Sequence, residues 1–570
     1  MEVPVITLWT GILLSLPLPT SQSCFTGLAR DCKKAEFVPG SGLAGEGFDI
    51  SKMQRKGAFV IDMSQWEGKN GTCTMCKNPF LEGKMQKLPT SVVDWRPSPK
   101  CSMNVASSLY QSSESLVSSS TSTVENNWKA DLAVDTPTTD GKLMLAGSHS
   151  KLAEYSMAKT KKDKFSFTSH KMSCSYYSYR VSSQATIHPE FQHAVNQLPK
   201  EYTSKYKKRF YKLIDTYGTH YMTKVVLGGT VHSVTSIREC QASLEGLSSE
   251  EIKMCLEVEA AASVGNNKAK FGAEVKHCDE LREKTEAKMS FSSKYSDRIT
   301  EIFGGHTTEA ELLFSADKDP AAYREWLSSL PLSPEVISYS LEPLHELLPT
   351  NMSARKHLRK AISHYILERG FYRNCSAPCT SGTKRNPKEP CVCSCHNGPG
   401  VNRDCCPTKR GMAQVTVTVE RAAGLWGDTT TATDAFVKLY NSHRTLIGQT
   451  SVIWNNNWPH WDRTFDFEVV LSQTKSVAFE VWDEDNKWDD DLLGTCNVQL
   501  TSGTKRDLCQ LDHGQLFYKL EVTCGPSLSG PSCSEYVSSP MNSNLEKMYV
   551  SRHARPIPQQ MLAQMGVLTD

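Results

Sequence analysis

The sequence lacks any apolar stretch long enough to span a bilayer. A transmembrane helix needs about 20 apolar residues, and the one pronounced apolar run, from Val5 to Leu16, is shorter than that. Prolines and small polar residues follow this run before Cys24, a pattern typical of a secretory signal peptide, although no Lys or Arg precedes it. We therefore expect a signal peptide over residues 1–23 and a secreted protein that is soluble when made.

The sequence also lacks an excess of charge of either sign. Its 64 Lys and Arg residues nearly balance its 62 Asp and Glu residues. Nucleic-acid binding requires a basic patch that contacts phosphates, so we expect no nucleic-acid partner. Any function that depends on charge must come from a local cluster.

Two hydrolase motifs are absent as well. The sequence contains no Gly-x-Ser-x-Gly elbow, and "HELLP", which begins at His345, lacks the second histidine of the zincin motif. A secreted, calcium-dependent lipid hydrolase is therefore a disfavoured alternative. We expect no catalytic residues and no enzyme activity.

Cysteine, by contrast, is plentiful. The twenty cysteines all follow the expected signal peptide, and their even number indicates an oxidised, secreted chain. Sequons at Asn70, Asn351 and Asn374 predict glycosylation on the same route. Seven cysteines lie between Cys375 and Cys406, with almost no apolar residues among them. We expect disulfides to hold this segment together, and a zinc cluster at "CVCSCH" is the alternative.

The segment after these cysteines shows the pattern of a β-sandwich. Val415, Val417 and Val419 alternate with polar residues, and "DAFVKLY" and "SVAFEVWDED" follow as further strand candidates. Short strands at this spacing predict a sandwich over residues 412–524. The tail over residues 525–570 is rich in Ser, Pro and Met, and we expect it to be a poorly structured extension.

The N-terminal part mixes two periodicities. A helical face runs from Ala354 to Ile366, with Gly370 as a plausible stop. A period of two starts at "LEVEAAASV", Leu256 to Val264, and recurs as far as Tyr295, although the intervening "HCDELREKTEAK" is rich in helix formers. One interpretation is an amphipathic sheet edge with a surface helix. The other is a segment that changes from helix to a membrane-spanning β-hairpin.

The most specific motif is "YGTHYMTKVVLGG", which ends at Gly228 and Gly229. The motif consists of an aromatic-Gly-Thr-His-aromatic run, then six residues, then a glycine pair. This pattern resembles the signature of the membrane attack complex/perforin family. The two glycines would permit a sharp bend in a central strand, and His220 would be a buried structural residue. "GTCTMC", "AGSHS" and "SLEPLHELL", with the order of the modules, extend the resemblance from Cys24 to about Cys533.

The resemblance implies an α+β fold with three modules. Residues 24–374 would form the pore-forming domain, similar to that of cholesterol-dependent cytolysins, with a bent antiparallel sheet between helical clusters. Residues 375–411 would form an EGF-like module, and residues 412–524 a C2 domain that binds phospholipid through calcium. Two clusters, at Gly147–Tyr179 and Leu256–Phe303, would unfurl into the hairpins of a transmembrane β-barrel.

The resemblance also implies partners and compartments. The chain would bind the phospholipid membrane of a target cell, assemble with its own copies into a ring, and admit granzymes as passengers. It would be stored in the cytolytic granule lumen, secreted, and act at the target-cell plasma membrane or the endosome membrane. Subunit contacts would involve Lys212 and Glu342, where Lys212 replaces the usual arginine and loses its bidentate fork. A non-lytic, secreted membrane-binding member of the family is the alternative.

The family's disulfide pattern uses all twenty cysteines when it is carried over to this chain. It implies the pairs Cys24–Cys76, Cys32–Cys73, Cys101–Cys174, Cys240–Cys406, Cys255–Cys278, Cys375–Cys391, Cys379–Cys393, Cys395–Cys405, Cys496–Cys509 and Cys524–Cys533.

Two acidic loops of the expected sandwich suggest a calcium site. Calcium takes six to eight oxygen ligands, which carboxylates from two neighbouring loops can supply. "GLWGDTTTATD" and "DEDNKWDDD" provide such loops, and Glu484 would alternate away from the ion. The candidate ligands are Gly427, Asp428, Thr431, Ala432, Asp434, Asp483, Asp485, Asp489, Asp490 and Asp491.

Tryptophans flank the acidic loops. Trp426 and Trp488 would lie at the two loop tips and Trp458 on a third loop, and indole rings are favoured at a membrane interface. We expect these three to contact lipid. For Trp454 and Trp461, core packing is the favoured interpretation.

Overall fold

The computed structural model describes most of the chain. The described residues are 24–102, 104–122, 125–126, 132, 141–265, 272–284, 288–315, 320–374, 383–385, 387, 393–395, 400–427, 431–485, 490–538 and 554–567.

The helices lie almost entirely in the N-terminal region. They are α1 (Ala29–Lys34), α2 (Ser113–Ser122), α3 (Lys151–Thr160), α4 (Pro189–Asn196), α5 (Lys207–Tyr217), α6 (Glu239–Leu244), α7 (Ser249–Ser263), α8 (Gly272–Lys284), α9 (Phe291–Lys294), α10 (Pro320–Ser329), α11 (Ser353–Arg369) and α12 (Gln559–Gln564). Short 3₁₀ turns span Leu43–Gly45, Lys69–Gly71, Ser204–Tyr206 and Leu344–Leu347. Among the described residues, none of the helices combines the length and the apolar character that crossing a membrane requires.

The strands run through all three modules. Those of the N-terminal region are β1 (Cys24–Gly27), β2 (Glu46–Asp49), β3 (Gln54–Phe59), β4 (Cys73–Asn78), β5 (Lys84–Lys87), β6 (Val92–Cys101), β7 (Ala106–Tyr110), β8 (Glu125–Asn126), β9 (Gly141–Met144), β10 (Phe165–Val181), β11 (His220–Arg238), β12 (Arg298–Phe303), β13 (Glu335–Pro343) and β14 (Phe371–Asn374). The later ones are β15 (Thr383–Arg385), β16 (Cys393–Cys395), β17 (Met412–Ala423), β18 (Ala435–Asn441), β19 (Leu446–Gln449), β20 (His460–Val470), β21 (Ser476–Asp483), β22 (Asp491–Gln499), β23 (Gly503–Leu511), β24 (Gly514–Cys524), β25 (Leu528–Ser529), β26 (Glu535–Tyr536) and β27 (Arg555–Pro556).

Two long strands, β10 and β11, form the centre of the N-terminal region. Within the described residues they belong to a nine-stranded sheet with the order β3-β2-β11-β10-β6, to which β12 and β13 add on β11 and β7 on β10. Among the strand pairs of this sheet that the structure describes, only the short β8–β13 pair is parallel. Helix α11 packs against α5 and shares one core with this sheet. Its apolar face is the one expected from the sequence, because Ala354, Leu358 and Ile366 are buried. The helix ends at Arg369, directly before Gly370, as expected.

The segment with the period of two is helical in this structure, so the sheet-edge interpretation of Leu256–Val264 is wrong. A capping box between Ser248 and Glu251 starts α7, and the run of alanines that continues it favours helix. The buried positions of α7 follow helical spacing, and Cys255 is bonded to Cys278 of α8. Alternation in an alanine-rich segment was therefore a poor discriminator between helix and strand.

The sandwich consists of two four-stranded antiparallel sheets, with the orders β20-β17-β24-β23 and β19-β18-β21-β22. The alternating valines of β17 point into the core between the sheets, where Val415, Val417 and Val419 are fully buried. Ahead of the sandwich, β15 pairs with β16 in the cysteine-rich segment. The Cys240–Cys406 disulfide ties that segment to the end of β11.

The C-terminal tail is partly structured, which corrects the expectation of a loose extension. Strand β27 pairs with β14, which in turn pairs with β9. Ile557, Leu562 and Val567 are buried in the core of the N-terminal region. Glu114 of α2 accepts the backbone N–H of Ala554 at 2.7 Å. The sequence did not reveal this docking because three or four apolar residues among many polar ones carry no clear periodicity.

The docked tail should contribute measurably to stability. Leu562 is only 3% exposed, so we expect Leu562→Ala to lower the free energy of unfolding by about 2 to 4 kcal/mol through the lost contacts and the cavity left behind. Denaturant unfolding followed by tryptophan fluorescence measures this change. The neighbouring exposed residue provides the control, since Gln560→Ala should change stability by less than about 0.5 kcal/mol. Equal stabilities of the two variants would contradict the docked tail.

Candidate metal and membrane-contact site

One end of the sandwich brings two acidic loops together. Asp483 ends β21 and is paired in register with Ala435 on one side and Asp491 on the other. Its Oδ1 accepts the backbone N–H of Asp434 at 2.6 Å, and Asp483 is only 3% exposed. The two aspartates that the sequence placed on separate loops are therefore in direct contact.

Gly427 makes this approach possible. A Cβ atom at position 427 would lie 2.0 Å from Oδ2 of Asp483, so any larger residue would displace the carboxylate. The first acidic loop therefore passes directly over Asp483. Gly427, Asp434 and Asp483 form the described centre of the site.

The other described candidates differ in their exposure. Thr431, Asp485 and Asp491 are exposed, whereas Ala432 and Asp490 are half-buried. Asp428 and Asp489 lie outside the described residues. In the part of the chain that the structure describes, no three His, Cys, Asp or Glu residues are grouped closely enough to hold a metal ion. The chemistry of the donors present, carboxylate oxygens from two loops, is the one that calcium prefers.

A third loop supports the first through its asparagines, a role that sequence reasoning missed. Asn457 accepts the backbone N–H and the hydroxyl of Thr433 at 2.9 and 3.0 Å. The backbone N–H of Asn455 donates to Oδ1 of Asp434 at 2.5 Å. The signal was the run "WNNNW", because asparagines commonly hydrogen-bond loop backbone.

Three tryptophans are exposed on these loops. The exposed fractions of Trp426, Trp454 and Trp458 are 54%, 63% and 62%. Trp426 stacks on His513 with 4.0 Å between ring centroids. Trp461 packs partly against the sandwich core, as expected, but the expectation of core packing for Trp454 is wrong. It directly follows Ile453, which is bridged to Ala435, and stands at the turn where the chain leaves the sheet. Trp488 lies outside the described residues.

The glycine pair lies at a close approach of β11 to its neighbours. A Cβ atom at Gly228 would lie 1.9 Å from the carbonyl oxygen of Cys174, and one at Gly229 would lie 2.3 Å from Leu330. The register between the two strands shifts next to this point, between Ser175 and Tyr177. Such an irregularity bends a strand.

His220 begins β11 as a buried side chain. It is 1% exposed, and its Nδ1 lies 2.8 Å from Oγ1 of Thr219. Burial lowers the pKa of His220 to about 3, with a further contribution from His345. The imidazole is therefore neutral at physiological pH, in agreement with a structural role.

The predicted assembly residues are both accessible. Lys212 lies on the exposed side of α5, and Glu342 is exposed on β13. The Glu342 carboxylate accepts a hydrogen bond from the Tyr221 hydroxyl at 2.7 Å, which fixes the position of the carboxylate.

Of the predicted glycosylation sites, Asn70 and Asn351 are exposed, whereas the side chain of Asn374 lies outside the described residues.

The disulfides in the described part of the chain are the same pairs that the resemblance implied. They are Cys24–Cys76, Cys32–Cys73, Cys101–Cys174, Cys240–Cys406, Cys255–Cys278, Cys395–Cys405, Cys496–Cys509 and Cys524–Cys533. The pairs Cys375–Cys391 and Cys379–Cys393 involve residues outside it.

The two expected hairpin segments are packed against the central sheet. The first contains α3 and runs directly into β10, and the second contains α7, α8 and α9 and runs into β12. Glu259 of α7 accepts the backbone N–H groups of Phe291 and Ser292. Lys159 of α3 forms an ion pair with Asp297 at 2.5 Å, which links the first segment to the second.

Family models match the three modules in order. The MAC/Perforin domain matches residues 39–374, the EGF domain of Perforin-1-like proteins residues 374–408, and the C2 domain residues 413–517.

Curated relatives match over nearly the whole chain. Perforin-1 of Homo sapiens is 39% identical over 519 residues, which cover 90% of this chain and 93% of the human one. Perforin-1 of Mus musculus is 39% identical over 92% of this chain and 95% of its own length. Complement component C8 alpha chain of Oryctolagus cuniculus is 28% identical over 36% of this chain and 35% of its own length.

The close approach at Gly228 can be tested by a substitution that adds one methyl group. Gly228→Ala would drive a Cβ into the backbone of β10, and we expect it to destabilise the N-terminal region by about 3 kcal/mol, the upper end of overpacking penalties. Thermal unfolding and secreted yield measure the loss. Gly42→Ala is the matched control, because nothing lies within 4 Å of a Cβ there and its φ of −83° suits alanine. Equal melting temperatures for the two variants would contradict the close approach.

Proposed function

This chain belongs to the membrane attack complex/perforin family, and on that premise we propose that it is a calcium-dependent, pore-forming cytolytic protein. The family consists of pore-forming rather than catalytic proteins. The observation that carries the calcium dependence is the direct contact between the two acidic loops through Asp434 and Asp483.

The acidic loops supply the first step, attachment to a membrane. Asp434 and Asp483 would hold calcium together with the carbonyl oxygens of Gly427, Thr431 and Ala432. The further carboxylate ligands would be Asp428, Asp485, Asp489, Asp490 and Asp491. Bound calcium would neutralise the cluster and present positive charge to phospholipid. Glu484 directly follows Asp483 and, by strand alternation, would point away from the ion.

The exposed tryptophans supply the second step, retention on the membrane. Trp426 and Trp458, joined by Trp488 and by the newly identified Trp454, would enter the interface beside the calcium site. Burying roughly 100 to 150 Å² of each ring at about 25 cal/mol/Å² contributes about 2.5 to 4 kcal/mol. The calcium contact brings the loops to the surface, and the indoles hold them there.

Insertion would follow from unfurling of the two helical segments. Before that, α3 must part from the second segment, which breaks the Lys159–Asp297 ion pair. Its members are partly exposed, with 28% and 47% of their side-chain surface accessible, so this contact is a weak lock. The segments Gly147–Tyr179 and Leu256–Phe303 would then extend β10, β11 and β12 into membrane-crossing hairpins.

Assembly into a ring would use Lys212 of one copy and Glu342 of the next. The pore would kill the target cell and admit granzymes. Secretion through cytolytic granules to the target-cell plasma membrane, with action at the endosome membrane after uptake, fits the disulfide-rich chain and its relatives. The alternative is a secreted family member that binds membranes without lysing them.

Dye release from phospholipid vesicles tests this function directly. With calcium, we expect release without lysolipid. Binding without release would support the non-lytic alternative, and release with lysolipid would indicate a hydrolase.

Asp483→Asn should raise the calcium concentration for half-maximal vesicle binding at least about tenfold, because it removes one ligand charge. Glu484→Gln is the matched control and should leave that concentration unchanged.

Charge reversal tests the assembly contact. Lys212→Glu or Glu342→Lys alone should reduce dye release at least about tenfold by placing like charges together, while vesicle binding persists. The two reversals combined in one chain should restore release and ring formation, as seen in electron micrographs. Lys208→Glu is the control, since Lys208 is an exposed lysine of the same helix. Failure of the double variant to recover would argue against the pairing.

A further inference from the structure

A cavity of about 650 Å³ lies on the face of the central sheet beneath the start of α3. Its walls come from the β2–β3 hairpin, α2, α3, β10, β11, β12 and β13. This volume is within the range of small-molecule sites, which are mostly apolar with a few polar groups. Leu152, Met222, Phe303, Val336 and Tyr339 supply the apolar part.

A row of three ionisable residues crosses the floor of the cavity. Lys171 of β10 is paired in register with His232 of β11, and His232 with Glu301 of β12. Residues in register on neighbouring strands project from the same face of a sheet, and all three line the cavity. The next row on that face holds Ser173 and Thr230, whose hydroxyls lie 2.8 Å apart.

The charged side chains that line the cavity are paired or, like Lys52, exposed to solvent, except at one position. Arg55 forms ion pairs with Glu46 and Glu335. Glu301 is stabilised in its charged form by Lys151 of α3, although burial raises its pKa. Lys171 remains, and within the described residues no carboxylate pairs with it.

The environment of Lys171 disfavours an ammonium without a counter-ion. Burial lowers the pKa of its amine. The neighbouring His232 is neutral, because burial and Lys171 lower its pKa to about 4, and so it provides no counter-charge. An anion at this point would therefore gain a charge-assisted hydrogen bond in a partly desolvated site.

The geometry points to a binding site for a small amphipathic monoanion, a carboxylate or sulfonate with an apolar body. The anionic group contacts the Lys171 ammonium beside the Ser173 and Thr230 hydroxyls. The apolar body packs against Leu152 and Val336. The single negative charge of such a ligand would pair with the Lys171 ammonium. Its apolar body would contact the apolar wall.

Such a ligand would also oppose pore formation, a consequence that rests on the proposed function. It would touch α3 of the first unfurling segment together with β12 and β13 on the opposite wall. By bridging these elements it would stabilise the closed arrangement over the open one, since a ligand shifts an equilibrium by its differential affinity. Vesicle binding through the sandwich would be unaffected.

Fluorescence titration of the full-length protein with 8-anilinonaphthalene-1-sulfonate, without lipid, tests the site. We expect saturable binding whose Kd rises at least about tenfold in Lys171→Met, as expected for loss of a charged contact, and less than about threefold in Lys171→Arg. Lys200→Met, which removes an exposed lysine elsewhere, should bind like the wild type. Leu152→Trp, which fills the apolar wall without changing charge, should also weaken binding. Equal affinity of Lys171→Met and wild type would overturn the site.

Dye release then separates this proposal from the proposed function. The same sulfonate should inhibit calcium-dependent release by the wild type and by Lys171→Arg, while vesicle binding stays constant. If the wild type releases no dye at all, the proposed function fails, but a Lys171-dependent Kd still establishes the site. If release occurs and the sulfonate does not inhibit it although it binds, the bridging consequence is overturned.

Discussion

Strands β10 and β11 are paired along almost their entire length, from Phe165 opposite Arg238 to Arg180 opposite Lys224. The rest of the nine-stranded sheet is built on this ladder: β6 and β7 pair with it on one side, and β2, β12 and β13 on the other. At Gly228 the two strands approach so closely that no side chain fits between the Gly228 backbone and the Cys174 backbone. Under the proposed function, this bend would stay fixed while the helical segments at the far end of the ladder move.

The far end of the ladder is fastened to the other modules. Cys240, two residues after β11, is bonded to Cys406 of the cysteine-rich segment. Just before β10, the Lys164 ammonium donates to the main-chain oxygen of Asp404, and Asp163 accepts the hydroxyl of Tyr536, which follows the sandwich. Burial lowers the pKa of Lys164 and raises that of Glu239 beside it. The end of the ladder from which the hairpin segments extend is thus connected, through a disulfide and hydrogen bonds, to the part of the chain that carries the module proposed to bind lipid.

The sequence was a good guide where one pattern had one explanation. Valine alternation identified β17, and an apolar face followed by Gly370 identified α11. It was a poor guide where local patterns were ambiguous or contacts were distant. Alanine alternation in α7 suits both helix and strand, and Trp454 cannot be distinguished from Trp461 without knowing where β18 bridges the loop. Docking of residues 554–567 joins positions several hundred residues apart, and no local periodicity records such a contact.

The face of the ladder beneath α7 is unusually polar for a buried surface. Thr168 and Thr235 are opposite each other, fully buried, and without a hydrogen-bond partner among the described residues. Burial lowers the pKa of His170 on the same face to about 4, and its Nδ1 also lacks a partner there.

Each such group costs about 1 to 3 kcal/mol while it is buried and recovers that energy when water reaches it. A core that stays closed permanently would be more stable with valine at these positions. Hydroxyls and a histidine suit a surface that α7 covers in one state of the protein and that water contacts in the other. Under the proposed function, these groups would contribute to the free energy that drives α7 away from the sheet, and the polar strand face left behind would be suited to line water.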